Sequence, residues 1–344
     1  MEISFGAYTL LTETIPERVK HAILLEKCGF DSVWVGDHLI EMQGDIKAYD
    51  VWCNLTAIAL NTKRLKLGTC VTDPYRRHPA VLVQSVNTVD QLSGGRVVLG
   101  MGGGEAMNLD PFGIKWDRPI ARLEETIQVM KQLWTSPHTN FIGRFYDLKD
   151  ARVQVESVQK PHPAIYLAAA SPRSRRLVGR AANGWIGLGL TPKHYRQDII
   201  DVQGGAGESG RDPALIHTAC AIHLAISSDA EAARSAVIGA GRTLLLCWPN
   251  QLKRLGYTST REFDWLKLLV DADTERRIKA HLDRVPTEAA EQIVIFGTPD
   301  QCIERIEEFT KAGVTHFIFS IHPLNGSYRL LAKKVIPYFR NYPA

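Results

Sequence analysis

The run VVLGMGGGE, residues 97–105, carries no charged or polar side chain until its last position. Five residues without polar alternation read as a parallel strand covered on both faces, because a half-exposed strand would alternate. Three glycines and a carboxylate follow at the point where such a strand opens into a loop. Seven further runs have the same character: Ser4–Thr9, Ser32–Gly36, Leu65–Val71, Ala164–Ala169, Trp185–Leu190, Thr218–Ile226 and His316–Ile321. Helix signals lie between them. Pro16–Cys28 opens on proline and stops at Gly29, Arg118–Trp134 has apolar residues at helical spacing, and Thr298–Lys311 begins Thr-Pro-Asp and stops before Gly313. Eight strands alternating with helices predict a (β/α)8 barrel, with a doubly wound open sheet as the alternative. Residues from about 230 to 292 break the rhythm and read as a helical insertion within one domain spanning 1–344.

The chain has 344 residues, 45% hydrophobic and 23% charged, enough for a large core. A net charge of +4 favours an anionic small ligand over a nucleic-acid surface, which needs clustered basic residues. No apolar stretch approaches the roughly twenty residues of a membrane span. The first twenty residues lack the basic and apolar regions of a secretory signal. Cys28, Cys53, Cys70, Cys220, Cys247 and Cys302 form no CxxC pair, so zinc and a disulfide framework are not expected and a cytoplasmic location is.

In a barrel, chemistry gathers where strands end. The second strand ends in Asp37-His38, the third runs into Cys70-Val71-Thr72-Asp73, and the fourth opens into Gly102-Gly103-Gly104-Glu105-Ala106-Met107-Asn108. The fifth meets Ala170-Ser171-Pro172, and the eighth ends in His322-Pro323. His38 beside a carboxylate can serve as a proton donor, although a lone histidine is as readily a core group bonded to backbone. The glycines before Glu105 let backbone approach a flat ring or an anion, or simply make a tight turn. Ser171-Pro172-Arg173-Ser174 opens a helix whose free N–H groups suit a phosphate, with Arg175, Arg176 and Arg180 behind it. A plain capped helix with a solvated basic face reads equally well. His21, His78, His162, His217, His223 and His281 lack such company and read as structural or surface groups.

At these residues the chain resembles the bacterial luciferase-like superfamily and, within it, the coenzyme F420-dependent oxidoreductases. The resemblance rests on GFDSVWVGDHL (29–39), LKLGTCVTDPYRRHPAV (65–81), LSGGRVVLGMGGGEAMN (92–108), IYLAAASP (165–172), VGRAANGW (178–185) and FGTPDQCIERIEEFTKAGVTHFIF (296–319). GGGEAMN is similar to the segment of F420-dependent sugar-phosphate and alcohol dehydrogenases, whereas VTDPYRRHPAV looks more like methylenetetrahydromethanopterin reductases. The resemblance implies a deazaflavin at the strand ends, with hydride passing between its C5 and a substrate carbon. It implies His38 and Glu105 as acid/base residues, and Asp37, Asp73, Gly103, Gly104 and Asn108 along the ring and ribityl chain. It places Ala170, Ser171, Arg173 and Ser174 at the phosphate, and a non-proline cis peptide between Cys70 and Val71 behind the ring. It also implies a homodimer.

Three departures bear on the substrate. Met42 stands where the alcohol and sugar-phosphate dehydrogenases have a tryptophan, with Trp52 as a spatial substitute to be tested. Leu188 and Thr191 stand where the sugar-phosphate enzymes hold phosphate. Tyr8 replaces a strand-one glutamate of the methanopterin reductases, which also have an aspartate at the place of Glu105. The expected activity is therefore F420-dependent hydride transfer on an alcohol, ketone or C1-pterin-like substrate. An FMN-dependent luciferase-like monooxygenase is the alternative. A non-catalytic flavin carrier is a third reading, against which the pairing of His38 with Glu105 argues. No metal, nucleic acid or membrane partner is expected.

Overall fold

The computed structural model describes residues 3–9, 13–44 and 46–341. Its strands are β1 (Ser4–Tyr8), β2 (Ser32–Val35), β3 (Lys66–Thr69), β4 (Val97–Met101), β5 (Thr139–Ile142), β6 (Asp147–Ala151), β7 (Ala164–Ala168), β8 (Gly184–Leu188), β9 (His217–Ile226), β10 (Val294–Gly297) and β11 (His316–Ile321). Eight of them, β1-β2-β3-β4-β7-β8-β9-β11, pair in parallel, and β11 returns to β1, closing the expected (β/α)8 barrel. All eight predicted strands are present to within a few residues. The closed ring excludes the doubly wound alternative.

Two features go beyond the expectation. The strand β10 lies beside the late part of β9, Val294–Gly297 against His223–Ile226. The hairpin β5–β6 interrupts the connection between β4 and β7. Its turn is held from the helix Pro119–Thr135, where the Glu125 carboxylate accepts the backbone N–H groups of Arg144, Phe145 and Tyr146 at 3.0, 2.7 and 2.9 Å. The segment between β9 and β10 is helical as predicted, with helices Ala230–Cys247, Pro249–Arg254, Thr274–Ala280 and Thr287–Glu291. Among the described residues no helix is long and apolar enough to cross a membrane, and no His/Cys/Asp/Glu group is arranged for a metal ion.

The barrel is filled rather than hollow. Trp34, Val98, Tyr166, Ile186, Ala219, Ala221 and Ile318 form one buried cluster in its bore. The Trp34 indole fits only because its neighbouring strands carry glycine there. A Cβ on Gly68 would come within 2.1 Å of the Trp34 ring and one on Gly6 within 2.7 Å, while Gly184 makes the same room for Tyr166. Ser32 satisfies the buried polar edges, accepting the Trp34 Nε1–H at 2.8 Å and meeting His316 Nε2 at 2.8 Å. Burial and the nearby His217 charge push His316 down to about 3. With this plug in the lower bore, the polar strand ends gather above it.

Two outcomes follow for stability. Replacing Gly68 with alanine overpacks the bore and is expected to destabilise the fold by about 1–3 kcal/mol, read as a lowered Tm. His316 and His21, held near 3 and 4 by burial, ionise only in the unfolded chain near their ordinary value of 6.5. Their contribution is complete above pH 6.5 and is lost as pH falls towards 4, because the unfolded chain then binds more protons. Denaturant melts between pH 7 and 4 should show this slope, reduced in His316→Asn.

Candidate functional site

The loop after β2 carries Asp37 and His38, and their side chains point apart. Asp37 is buried and turned towards the β3 loop. Its carboxylate accepts the Thr72 hydroxyl at 2.6 Å and Arg77 Nη1 at 2.8 Å, and pairs with Arg76 at 3.2 Å. Arg76 also bonds the Asp37 carbonyl and the Asp73 carboxylate. Asp73 accepts the backbone N–H groups of Tyr75 and Arg76 at 2.7 and 3.0 Å, which bends its own loop around the arginine. Both aspartates are thus taken up in a buried charge cluster that fixes the β2 and β3 loops. Burial tolerates such charges only when they are paired and hydrogen-bonded, as they are here.

His38 faces the other way. Its Nδ1 lies 3.0 Å from Glu41 Oε1, a close charge contact in which the ring nitrogen is not aligned for a hydrogen bond. Burial works against the charged imidazole, but Glu41 by contact and charge, and then Glu105 by charge, outweigh burial and raise it to about 9. The ring is flanked by Trp265, with centroids 6.2 Å apart. Trp265 comes from the segment between β9 and β10. The same segment grips the backbone of the glycine loop, where the Ala106 N–H donates to the Leu266 carbonyl at 3.0 Å.

The loop after β4 brings Glu105 to His38 through a third residue. Asn108 is fully buried. Its Nδ2 donates to Glu105 Oε1 at 2.7 Å, while its Oδ1 accepts the backbone N–H groups of Leu39 and Ile40 at 2.6 and 2.8 Å. One amide therefore holds both candidate acid/base residues in register. Gly104 has φ +75°, a left-handed conformation that glycine adopts without cost, and a Cβ there would also crowd Leu109 and Tyr75 at 3.1 and 3.3 Å. A Cβ on Gly102 would meet Val71 at 2.7 Å. The peptide between Cys70 and Val71 is cis. Cys70 Sγ lies 2.7 Å from the Tyr8 hydroxyl, and burial pushes the thiol up to about 12 and the phenol well above its usual value, so both stay protonated.

Across the barrel mouth, the helix Pro172–Ala181 begins at Ser171. Ser171 and Ser174 form a closed capping box: Ser174 N–H donates to Ser171 Oγ at 3.2 Å and Ser171 N–H to Ser174 Oγ at 3.0 Å. The arginines behind it are engaged by carboxylates, Arg175 by Asp198 and Asp201, Arg176 by Glu208, and Arg180 by Glu124. Arg173 is exposed and, alone of the four, makes no such pair among the described residues. The helix start thus offers one uncommitted guanidinium and the backbone N–H of the same Arg173, since Pro172 has no N–H and those of Ser171, Ser174 and Arg175 are bonded within the cap.

The sequence reading missed Glu41 and Trp265. Nothing marks Glu41 except its place three residues after His38, and Trp265 lies far away along the chain. The aromatic residue beside His38 is Trp265 and not Trp52. Trp52 packs into the main core, and Met42 packs with Cys247, whose sulfur is 4.0 Å from its own. His223 and His322 also meet at the strand ends, 3.0 Å apart, with burial pushing His223 down to about 3.

Similarity to known proteins extends over nearly the whole chain. A 5,10-methylenetetrahydromethanopterin reductase from Methanolobus tindarius is 29% identical over 318 residues, covering 92% of this chain and 93% of its own. A phthiodiolone/phenolphthiodiolone dimycocerosates ketoreductase from Mycobacterium bovis (strain BCG / Pasteur 1173P2) is 30% identical over 362 residues, covering 96% and 94%. The structure of an F420-dependent secondary alcohol dehydrogenase in complex with an F420-acetone adduct superposes with a TM-score of 0.84 at 25% identity, covering 99% of this chain and 100% of that one. The family described as luciferase-like monooxygenase matches residues 3–316, and the chain belongs to it.

Proposed function

We propose that the protein is a coenzyme F420-dependent oxidoreductase acting on a small organic substrate of the alcohol/ketone or C1-pterin type, as a cytoplasmic homodimer. The observation that carries this reading is the Asn108 bridge, which ties Glu105 to the backbone that directly follows His38 and so links the two strand-end loops that carry them. The similarity to an F420-dependent alcohol dehydrogenase and to two reductases supports the same chemistry.

The residues present fit a deazaflavin. Gly102, Gly103 and Gly104 pack their backbone closely against Val71, Pro119 and Leu109, and this loop with the cis Cys70–Val71 peptide is the backbone that would stand beside a flat ring. Asp37 and Asp73 act through the arginine cluster that holds this backbone, and Asn108 through its grip on both loops. The Arg173 guanidinium and its backbone N–H suit an anionic phosphate, with Ala170 and Ser171 at its edge and Ser174 closing the cap. When bound, the deazaflavin supplies or accepts a hydride at C5. His38 then holds or donates a proton at the substrate oxygen, and Glu105 assists by its charge and by fixing Asn108. Trp265 flanks the imidazole that makes this transfer.

Fluorescence titration of the purified protein with F420 and with FMN tests the cofactor. F420 should bind and FMN should not compete at equal concentration; tight FMN binding without F420 binding overturns the reading in favour of a flavin monooxygenase. Arg173→Ala should weaken F420 about tenfold or more, since a hydrogen bond to a charged group contributes about 1.5–3 kcal/mol. His38→Asn should lower kcat by roughly 10²–10⁴, the usual contribution of a positioned acid or base, and Glu105→Gln should lower it by a smaller factor, since Glu105 acts by charge and by holding Asn108. Unchanged turnover in either variant, measured with F420 and an accepted substrate, removes that residue from the chemistry.

A further inference from the structure

Glu41 has no part in the proposed function, yet its carboxylate is almost covered, 12% exposed, and its Oε1 stands 3.0 Å from His38 Nδ1. Among the described residues it makes no other ion pair or hydrogen bond. A carboxylate this covered is unfavourable without a cation, and His38 can be that cation only when both ring nitrogens carry protons. The opposite ring nitrogen, Nε2, bonds to none of the described residues. The groups facing the imidazole from the other elements are few. Glu105, on the β4 loop, favours the charged ring; Arg76, on the β3 loop, opposes it; Trp265 lies beside it without charge. Arg18 and Tyr8 sense the Glu41 charge from the helix Ile15–Lys27 and from β1.

We propose that Glu41 is a positioning residue that keeps His38 as an imidazolium with Nε2 free for the substrate, the state in which it can protonate the oxygen of a carbonyl as hydride arrives. The proposal rests on the deazaflavin reading above for the source of hydride. In the step, the carbonyl π bond breaks as its carbon takes the hydride with two electrons from the reduced cofactor, which is thereby oxidised. The oxygen takes the proton from His38 Nε2, giving the alcohol, and the imidazole regains a proton from water. Glu41 touches neither substrate nor hydride; it fixes the orientation and the charge of the ring that does. The upward shift of His38 to about 9, against the pull of burial, agrees with this geometry.

Histidine NMR of the full chain, titrated without cofactor, tests the pair directly, with the His38 resonances identified by their loss in His38→Asn. The native ring should remain charged through pH 8. Its midpoint should fall by at least about one pH unit in Glu41→Gln, the change expected when a close opposite charge is removed, and lie between the two in Glu41→Asp. A native His38 that is neutral at pH 7, or a midpoint unmoved by Glu41→Gln, overturns the proposal. If Glu41→Gln does not fold, the native and Glu41→Asp titrations decide by the same criteria. In turnover, kcat/KM for a ketone at pH 8 should fall about twofold in Glu41→Gln, because a midpoint moving from about 9 to about 8 takes the charged fraction of the ring from about nine-tenths to about one half, and it should recover towards lower pH. A fall that is the same at every pH counts against the charge role. The titration uses no cofactor, so an absence of F420 binding would refute the deazaflavin reading while leaving the ionisation of His38 decided on its own.

Discussion

Asn108 has both faces of its amide committed, Nδ2 to the Glu105 carboxylate and Oδ1 to the backbone of Leu39 and Ile40. Because the residue is fully buried, neither end can trade its partner for water, and losing one would strand a buried polar group. The loops after β2 and β4 are therefore set with respect to each other by a single side chain. His38 takes its place from one loop and Glu105 from the other. The charge cluster of Asp37, Asp73, Arg76 and Arg77 does the same for the β2 and β3 loops, so three successive strand ends are tied into one wall.

That wall stands on the plug below it. Trp34 closes the bore only because β1 and β3 carry Gly6 and Gly68 where a Cβ would collide with the indole. The packing of the lower barrel and the polarity of the upper barrel are thus separate problems with separate residues. Tyr8 and Cys70 sit at the boundary, polar enough to bond each other and buried enough to stay uncharged.

The eight barrel strands were legible because each is an apolar run that ends in glycine or polar residues, a pattern dictated by burial on both faces. The hairpin β5–β6 was not, since its strands carry Asn140, Asp147, Lys149 and Asp150 and leave Ile142 exposed; its turn depends on a side chain, Glu125, of the helix that precedes it. The strand β10 escaped notice because four residues beside a helical segment give too short a period to read. In the site, His38, Glu105 and Asn108 were visible by their place at strand ends. Asp37 and Asp73 were visible too, but not the arginines that occupy them, because Arg76 and Arg77 reveal their partners only once β2 and β3 lie side by side. The basic helix after Ser171 misled in the opposite sense: three of its arginines are matched by carboxylates from neighbouring helices, a pairing that no local spacing discloses.

The filled bore has a consequence for traffic. Trp34, Tyr166 and His316 pack against one another across the bore, so a pocket formed at the strand ends would be a blind well entered only from that end. Two ligands that share such a well cannot leave independently when one lies over the other. The deeper one waits for the shallower, and the order of departure is imposed by architecture rather than by relative affinity.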